Sequence, residues 1–255
     1  MSKTQLSYLK SGFRAIFDYA EEEEIIESIP LFPKANIMKF EKSRFPINEK
    51  QYLALIDFLV SSMEKSKKSE VRENKFLLIN FIILLKHTGI RIGELKNIKI
   101  ENIENDGKNR YCYIPVSKTT TRKIILNQMC FNALDKTMSG KKKKDYLFSR
   151  LYDGKVPNFT QILQGLKKHN RRFFEENGLE NFVLYNLRHT FITNSIVDGV
   201  ELFYIAQHCG TSLDMIEKHY ADYIVSRNYE NIYDKKTMIK QKSYDQLIEE
   251  YYKNN

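Results

Sequence analysis

The segment ENKFLLINFIILLKH, residues 73–87, constrains the fold more than any other part of this chain. Read as a helix it is apolar almost all round, and such a helix must be enclosed by other elements rather than laid on a surface. Its greasiest run, Phe76 to Leu85, is about half of what a bilayer span requires, so it reads as the buried helix of a core. Gly89 suits its C-terminal stop, because glycine enters the left-handed region without a Cβ clash.

Elements that could enclose such a helix flank it on both sides. Asn48 can cap a preceding helix, with Gln51 completing a capping-box pair, and Leu53, Ile56, Phe58 and Leu59 follow at helical spacing. Downstream, RIGELKNI starts a new helix, and then the pattern changes. RYCYIPV and TRKIIL are short β-branched and aromatic runs around a polar turn, a hairpin by pattern. From Leu126 onward the chain reads as helical, broken by SGKKKKDY and YDGKVPN, with Lys141 to Lys144 a solvated loop. The fold class expected is mainly α with a small antiparallel β-hairpin or sheet (α+β).

The first 45 residues have a different character. Residues 5–28 read as a helix with Leu6, Leu9, Phe13, Ile16, Phe17 and Tyr19 on one side, ending in the acidic run Glu21 to Glu24 as a solvated helical segment. Pro30, Pro33 and Pro46 then mark a mostly extended linker. The division expected is therefore 1–45 and 46–255. A helix of this kind does not fold usefully alone, so either it packs on the main body or the chain is a piece of something longer.

Charge and cysteine usage narrow the class. Forty-one Lys and Arg against 32 Asp and Glu give a net charge of +9, spread along the whole length, which favours a polyanion partner, nucleic acid before an anionic membrane. Cys112, Cys130 and Cys209 are widely spaced and form neither a ligand cluster nor a disulfide framework, as expected in a reducing cytoplasm. The start, MSKTQLSYLKSGF, has no apolar core of signal-peptide length. A cytoplasmic protein without metal or other cofactor is expected.

Four polar clusters carry the functional reading. In KHTGIRIGEL, Arg91 stands two residues after a helix-breaking glycine with Glu94 at i,i+3, which alone is a surface ion pair contributing a few tenths of a kcal/mol. Lys118 sits at the hairpin tip, where a solvated lysine is ordinary. In LYNLRHTFITN, Tyr185, Arg188 and His189 open an otherwise apolar helix, and an arginine there must be solvated, paired with an acid, or waiting for an anion. In GTSLDMIEKHYADY, Tyr220 ends a short helix.

Read in order, these stretches resemble the tyrosine recombinase (phage integrase) family. HTGIRIGEL looks like its first arginine box, SKTTTRKIIL its lysine hairpin, LYNLRHTF its second arginine box, and HCGTSLDMIEKHY the segment leading to its nucleophilic tyrosine. The resemblance covers roughly residues 48–225. It departs at Tyr185, where most members have histidine, and at Thr211, where they have histidine or tryptophan.

The resemblance implies a tyrosine-recombinase catalytic-domain fold over 46–255, preceded by the terminal helix of a core-binding domain. It implies a site-specific DNA recombinase in which Tyr220 attacks a scissile phosphate to leave a 3′-phosphotyrosine and a free 5′-hydroxyl. Arg91 and Arg188 would clamp the non-bridging oxygens with forked donors that never lose their charge, so that neither metal nor ATP is required. Lys118 would protonate the leaving oxygen, and Tyr185 and Thr211 would hydrogen-bond the phosphate. Glu94 and His189 stand behind this set, Glu94 orienting Arg91; the general base stays open, with His189 and His219 near in sequence.

The implied partners are double-stranded DNA attachment sites and further copies of the same chain, a dimer to tetramer on DNA. Tyr244, Leu247, Ile248 and Tyr251 form an amphipathic terminal helix that either folds back on its own domain or docks on a neighbouring protomer. The alternatives are a catalytically inactive DNA-binding regulator on the same fold, for which Tyr185 and Thr211 argue, and a type IB topoisomerase, which uses a similar arginine, lysine and tyrosine set.

Overall fold

The structure, a computed structural model, describes residues 3–31, 45–117 and 120–227. Lys118, most of the linker and the terminal segment with Tyr244, Leu247, Ile248 and Tyr251 lie outside the described residues. The chain divides into two compact units, Met1–Ser43 and Arg44–Asn255.

In the first unit α1 spans Lys3–Glu22 and exposes Tyr8, Leu9, Phe13, Ile16 and Tyr19. The helix expected through residue 28 stops inside the acidic run, and Glu24 takes a positive φ of 55°. Consecutive glutamates at a helix C-terminus repel one another and meet the negative end of the macrodipole, so the helical segment expected through Glu24 ends at Glu22.

The second unit is organised around one helix. After α2 (Glu49–Glu64), α3 runs Ser69–Thr88, and Leu77, Leu78, Phe81, Ile82, Leu84 and Leu85 are almost fully enclosed. Phe81 stacks on Phe159 at 4.3 Å between ring centres and meets Phe148 edge-on at 4.9 Å. The Asn48 capping box forms as expected: its carboxamide oxygen accepts from Gln51 N–H at 2.8 Å, and its own N–H donates to Gln51 Oε1 at 3.0 Å. The buried stripe of α2 is Tyr52, Leu55 and Leu59, whereas Leu53 is exposed; the helix has more apolar residues than one face can bury.

The short helix α4 (Ile92–Lys96) leads through a 3-10 turn into the sheet, β1 (Ile103–Asn105), β2 (Arg110–Ser117) and β3 (Thr120–Leu126), antiparallel in that order. Strand β1 extends the expected hairpin by a third strand. Then follow α5 (Gln128–Met138), α6 (Phe159–His169), α7 (Arg171–Glu176), α8 (Tyr185–Val197), α9 (Leu202–Cys209) and α10 (Leu213–Arg227). In the lysine-rich loop Lys142, Lys143 and Lys144 are exposed, but Lys141 turns inward, donates to the Leu147 carbonyl at 2.7 Å, and is pushed down by burial to about 8.

Two apolar clusters result. The larger gathers α2, α3, the sheet, α5, α6 and the start of α8; the smaller holds Ile192, Ile196, Ile205, Ala206, Cys209, Ile216 and Tyr220. Helix α8 belongs to both, through Leu187 in the first and Ile192 and Ile196 in the second. No helix among the described residues is long and apolar enough to cross a membrane.

Candidate active site

The site forms where α3 stops. Thr88 Oγ–H donates to the Leu84 carbonyl at 2.5 Å, and Gly89 caps the helix with φ 60°. A Cβ on Gly89 would run into the Phe191 ring, so conformation and space both require glycine here. The chain turns directly into α4 with Arg91 as its N-cap. Glu94 reaches back one turn to accept from the Arg91 backbone N–H at 3.1 Å, and its other oxygen accepts from Arg91 Nη1 at 2.9 Å. Glu94 is thus a buried carboxylate, while the Arg91 side chain is 40% exposed.

A third arginine joins them that the sequence reading did not single out. Arg122 on β3 donates to both Glu94 oxygens, Nη1 at 3.1 Å and Nη2 at 2.6 Å, and its side chain is 12% exposed. The signal lay in the strand alternation: Ile124 and Leu126 are buried, Lys123 and Ile125 exposed, so Arg122 falls on the inward face.

The C-terminus of α9 collects all three guanidiniums. Gly210 takes φ 63° and its N–H donates to the Gln207 carbonyl, while the Thr211 N–H reaches the Ala206 carbonyl at 3.0 Å, a Schellman closure. The next three carbonyls are then free to accept from side chains. That of His208 takes Arg122 Nε at 3.0 Å, that of Cys209 takes Arg188 Nη1 at 2.9 Å, and that of Gly210 takes Arg91 Nη2. Arg188 Nη1 also donates to the Gly89 carbonyl at 2.6 Å. Cations gathered at the negative end of a helix are favourably placed. His208 fastens the turn to α3: its Nε2–H donates to the Thr88 carbonyl at 2.9 Å, and its ring stacks on Phe191. Burial is the main cause that lowers its pKa, with Arg122 and Arg188 adding to it against the Thr88 bond.

The sequence left three fates open for Arg188. It is buried, and among the described residues no carboxylate pairs with it. Tyr220 is buried nearby, at the one residue of α10 with non-helical backbone angles (φ −131°, ψ 18°). Its hydroxyl lies 2.5 Å from His189 Nδ1. The Tyr185 ring meets His189 edge-on at 5.0 Å. Burial is the largest cause raising the Tyr220 pKa, and Tyr185 adds to it while the Arg188 charge works the other way. Successive residues on a helix point about 100° apart, so Arg188 reaches the two carbonyls while His189 faces the tyrosine.

The structure therefore brings Arg91, Glu94, Arg188, Tyr185, His189 and Tyr220 together with Arg122. Thr211 is half-buried beside Gly210, and His219 is exposed. The His189–Tyr220 contact joins residues far apart in the chain, and no local pattern announces it.

These residues fall within the part of the chain, 46–225, that matches the model of the phage integrase family. No curated protein sequence matches the chain. Among solved structures, XerA recombinase is similar over 90% of this chain and 76% of its own, with 21% identity and a TM-score of 0.52. The XerH site-specific recombinase bound to difH substrate is similar over 86% of this chain and 62% of its own, with 17% identity and a TM-score of 0.57. The Tn1549 transposon integrase in complex with circular intermediate DNA is similar over 86% and 76%, with 17% identity and a TM-score of 0.61. At these identities the structural likeness is one of fold; with the family match spanning most of the chain, the protein belongs to the phage integrase, or tyrosine recombinase, family.

Proposed function

We propose that the protein is a site-specific DNA recombinase that breaks and rejoins duplex DNA through a 3′-phosphotyrosine at Tyr220. The observation that carries this reading is Arg188, a buried guanidinium with no acid paired to it among the described residues. It stands beside Arg91 on consecutive carbonyls and next in the chain to the histidine bonded to Tyr220. A buried cation without a matching anion is costly. A scissile phosphate arriving at Arg188 and Arg91 supplies that anion.

In this reading the Tyr220 oxygen attacks phosphorus, and its proton passes to His189 Nδ1. The bond from phosphorus to the 5′ oxygen breaks, and that oxygen takes a proton from Lys118, a role carried by the family resemblance alone. Because burial raises the Tyr220 pKa, the neutral phenol is its resting form, and a base in contact is what attack at neutral pH requires. Arg91 and Arg188 hold the non-bridging oxygens as charge builds on them, with Tyr185 and Thr211 as further hydrogen-bonders. The phosphotyrosine keeps the energy of the broken diester, so the reverse attack by a 5′-hydroxyl rejoins strands without ATP.

The net charge of +9 suits a grip on DNA mainly through phosphates. The partners assigned are duplex attachment sites and further copies of this chain. Residues 1–45 are assigned as the last helix and linker of a core-binding domain, and the terminal segment from Ser243 as a helix that docks on a neighbouring protomer.

The test is covalent capture on nicked duplexes with a randomised core, read as protein–DNA adducts that survive SDS. Adducts from the wild-type chain and none from Tyr220→Phe are expected. DNA binding without any adduct would make the protein a DNA-binding regulator on this fold, and adducts persisting in Tyr220→Phe would remove Tyr220 as nucleophile.

A further inference from the structure

Glu94 poses an electrostatic problem that Arg91 alone does not solve. It is a buried carboxylate bonded to the very guanidinium that the recombinase reading assigns to a phosphate. A lone buried carboxylate would draw Arg91 into a closed ion pair and cancel the charge needed for an incoming anion. Arg122 changes this balance. It covers both Glu94 oxygens in a fork, whereas Arg91 holds only one of them through its side chain. It is also the enclosed member of the pair, with 12% of its side chain exposed against 40% for Arg91.

Arg122 has a second attachment. Its Nε–H donates to the His208 carbonyl, the first of the three consecutive carbonyls on which Arg122, Arg188 and Arg91 converge. Gly210 leaves room for this: a Cβ there would lie 2.5 Å from Arg122 Nη1 and 2.7 Å from its Cζ. One side chain thus ties the carboxylate behind Arg91 to the turn that aligns Arg91 with Arg188.

We propose that Arg122 is a positioning residue for strand cleavage, which neutralises Glu94 so that Arg91 keeps its charge for the scissile phosphate and which holds the 208–210 turn under both phosphate-binding arginines. This assignment rests on the recombinase reading above. Arg122 itself does not touch DNA phosphate. Its loss acts on the chemical step, and the damage arises from the carboxylate it leaves behind.

The experiment measures the initial rate of adduct formation on a captured nicked duplex for the wild-type chain, Arg122→Gln, Arg122→Lys, Glu94→Gln and the Arg122→Gln/Glu94→Gln pair. DNA affinity and the urea midpoint are recorded for each. Arg122→Gln is expected to slow cleavage about 10²-fold, the scale of a misplaced catalytic group, with DNA affinity within about twofold of wild type. Arg122→Lys restores a cation without the fork and is expected to fall between them. The double variant is expected to cleave at least about tenfold faster than Arg122→Gln, because the stranded charge has gone, and to do so at urea midpoints too high for unfolding to limit either variant; a purely structural Arg122 gives a rescue of cleavage that only follows the recovery of the urea midpoint.

A double variant no faster than Arg122→Gln, or Arg122→Gln as fast as wild type, overturns the assignment while the recombinase reading stands. Absence of any adduct from the wild-type chain overturns both. If Arg122→Gln fails to fold, Arg122→Met against Arg122→Met/Glu94→Gln decides the matter by the same rescue.

Discussion

The two apolar clusters of the second unit hold different halves of the site. The larger one, built around α3, carries Gly89 and Arg91 at the junction of α3 and α4, Glu94 on α4 and Arg122 on β3, so their positions follow from a heavily enclosed helix and an antiparallel sheet. The smaller one carries Tyr220 among its members and rests on α8, α9 and α10. Arg188 and His189 stand on α8 between Leu187, which packs in the first, and Ile192, which packs in the second. Arg91, proposed to receive an anion, is anchored in the larger cluster, and Tyr220, proposed as the nucleophile, in the one with less apolar surface to hold it. Regions with fewer buried contacts open locally at lower free energy than the global fold, so the tyrosine is expected to be the more mobile half.

The largest expected effect breaks the contact between the halves. His189→Gln is expected to slow adduct formation about 10²–10⁴-fold, the range for loss of a positioned base, with DNA affinity unchanged in a filter or gel assay. A rate within a fewfold of wild type would transfer the proton to another acceptor.

Next come the clusters themselves. Leu78→Ala and Ile216→Ala each remove an almost fully enclosed aliphatic side chain and are expected to cost about 2–5 kcal/mol where they act. Hydrogen exchange separates them. Leu78→Ala is expected to speed exchange throughout the second unit, whereas Ile216→Ala speeds it in α10 and leaves α3 protected. Equal loss of protection in both helices would mean that the clusters unfold as one.

A smaller effect tests the turn that joins them. Gly210→Ala places a Cβ at φ 63° and against Arg122. The left-handed backbone alone costs about 1–2 kcal/mol, read as a lower urea midpoint. Adduct formation is expected to fall by about tenfold or more beyond that, because the arginines lose their common support.

The smallest expected effect is on pH dependence. Burial holds His208 neutral, so its folded pKa lies below the ordinary 6.5. Below that value the unfolded chain binds a proton that the folded chain refuses. Stability is therefore fully present above about pH 6.5 and is lost as the pH falls from there through the depressed value. His208→Gln is expected to flatten this acid-side decline in melting temperature. It leaves the part due to His87, which burial and Lys86 depress in the same direction.

The comparison also marks how far the chain could be read in advance. The central helix, the Asn48 capping box, the Gly89 stop and the hairpin were legible because each depends on residues within a few positions of one another. The four boxes were legible as a resemblance, and the structure brings Arg91 and Arg188 to one turn of α9, with Tyr220 bonded to His189 next to Arg188 in the chain. The acidic end of α1 was misread for a local reason, like charges at a helix end.

The sequence by itself determined the elements, their punctuation and the family, since propensity, capping and periodicity act over a turn or a strand. Only the tertiary structure decided that Arg122 shares Glu94 with Arg91 and that His189 meets Tyr220. It also decided that three guanidiniums lie on three consecutive carbonyls. Those contacts join residues from α4, β3, α8 and α10, and their geometry depends on how whole elements pack, which no local pattern encodes.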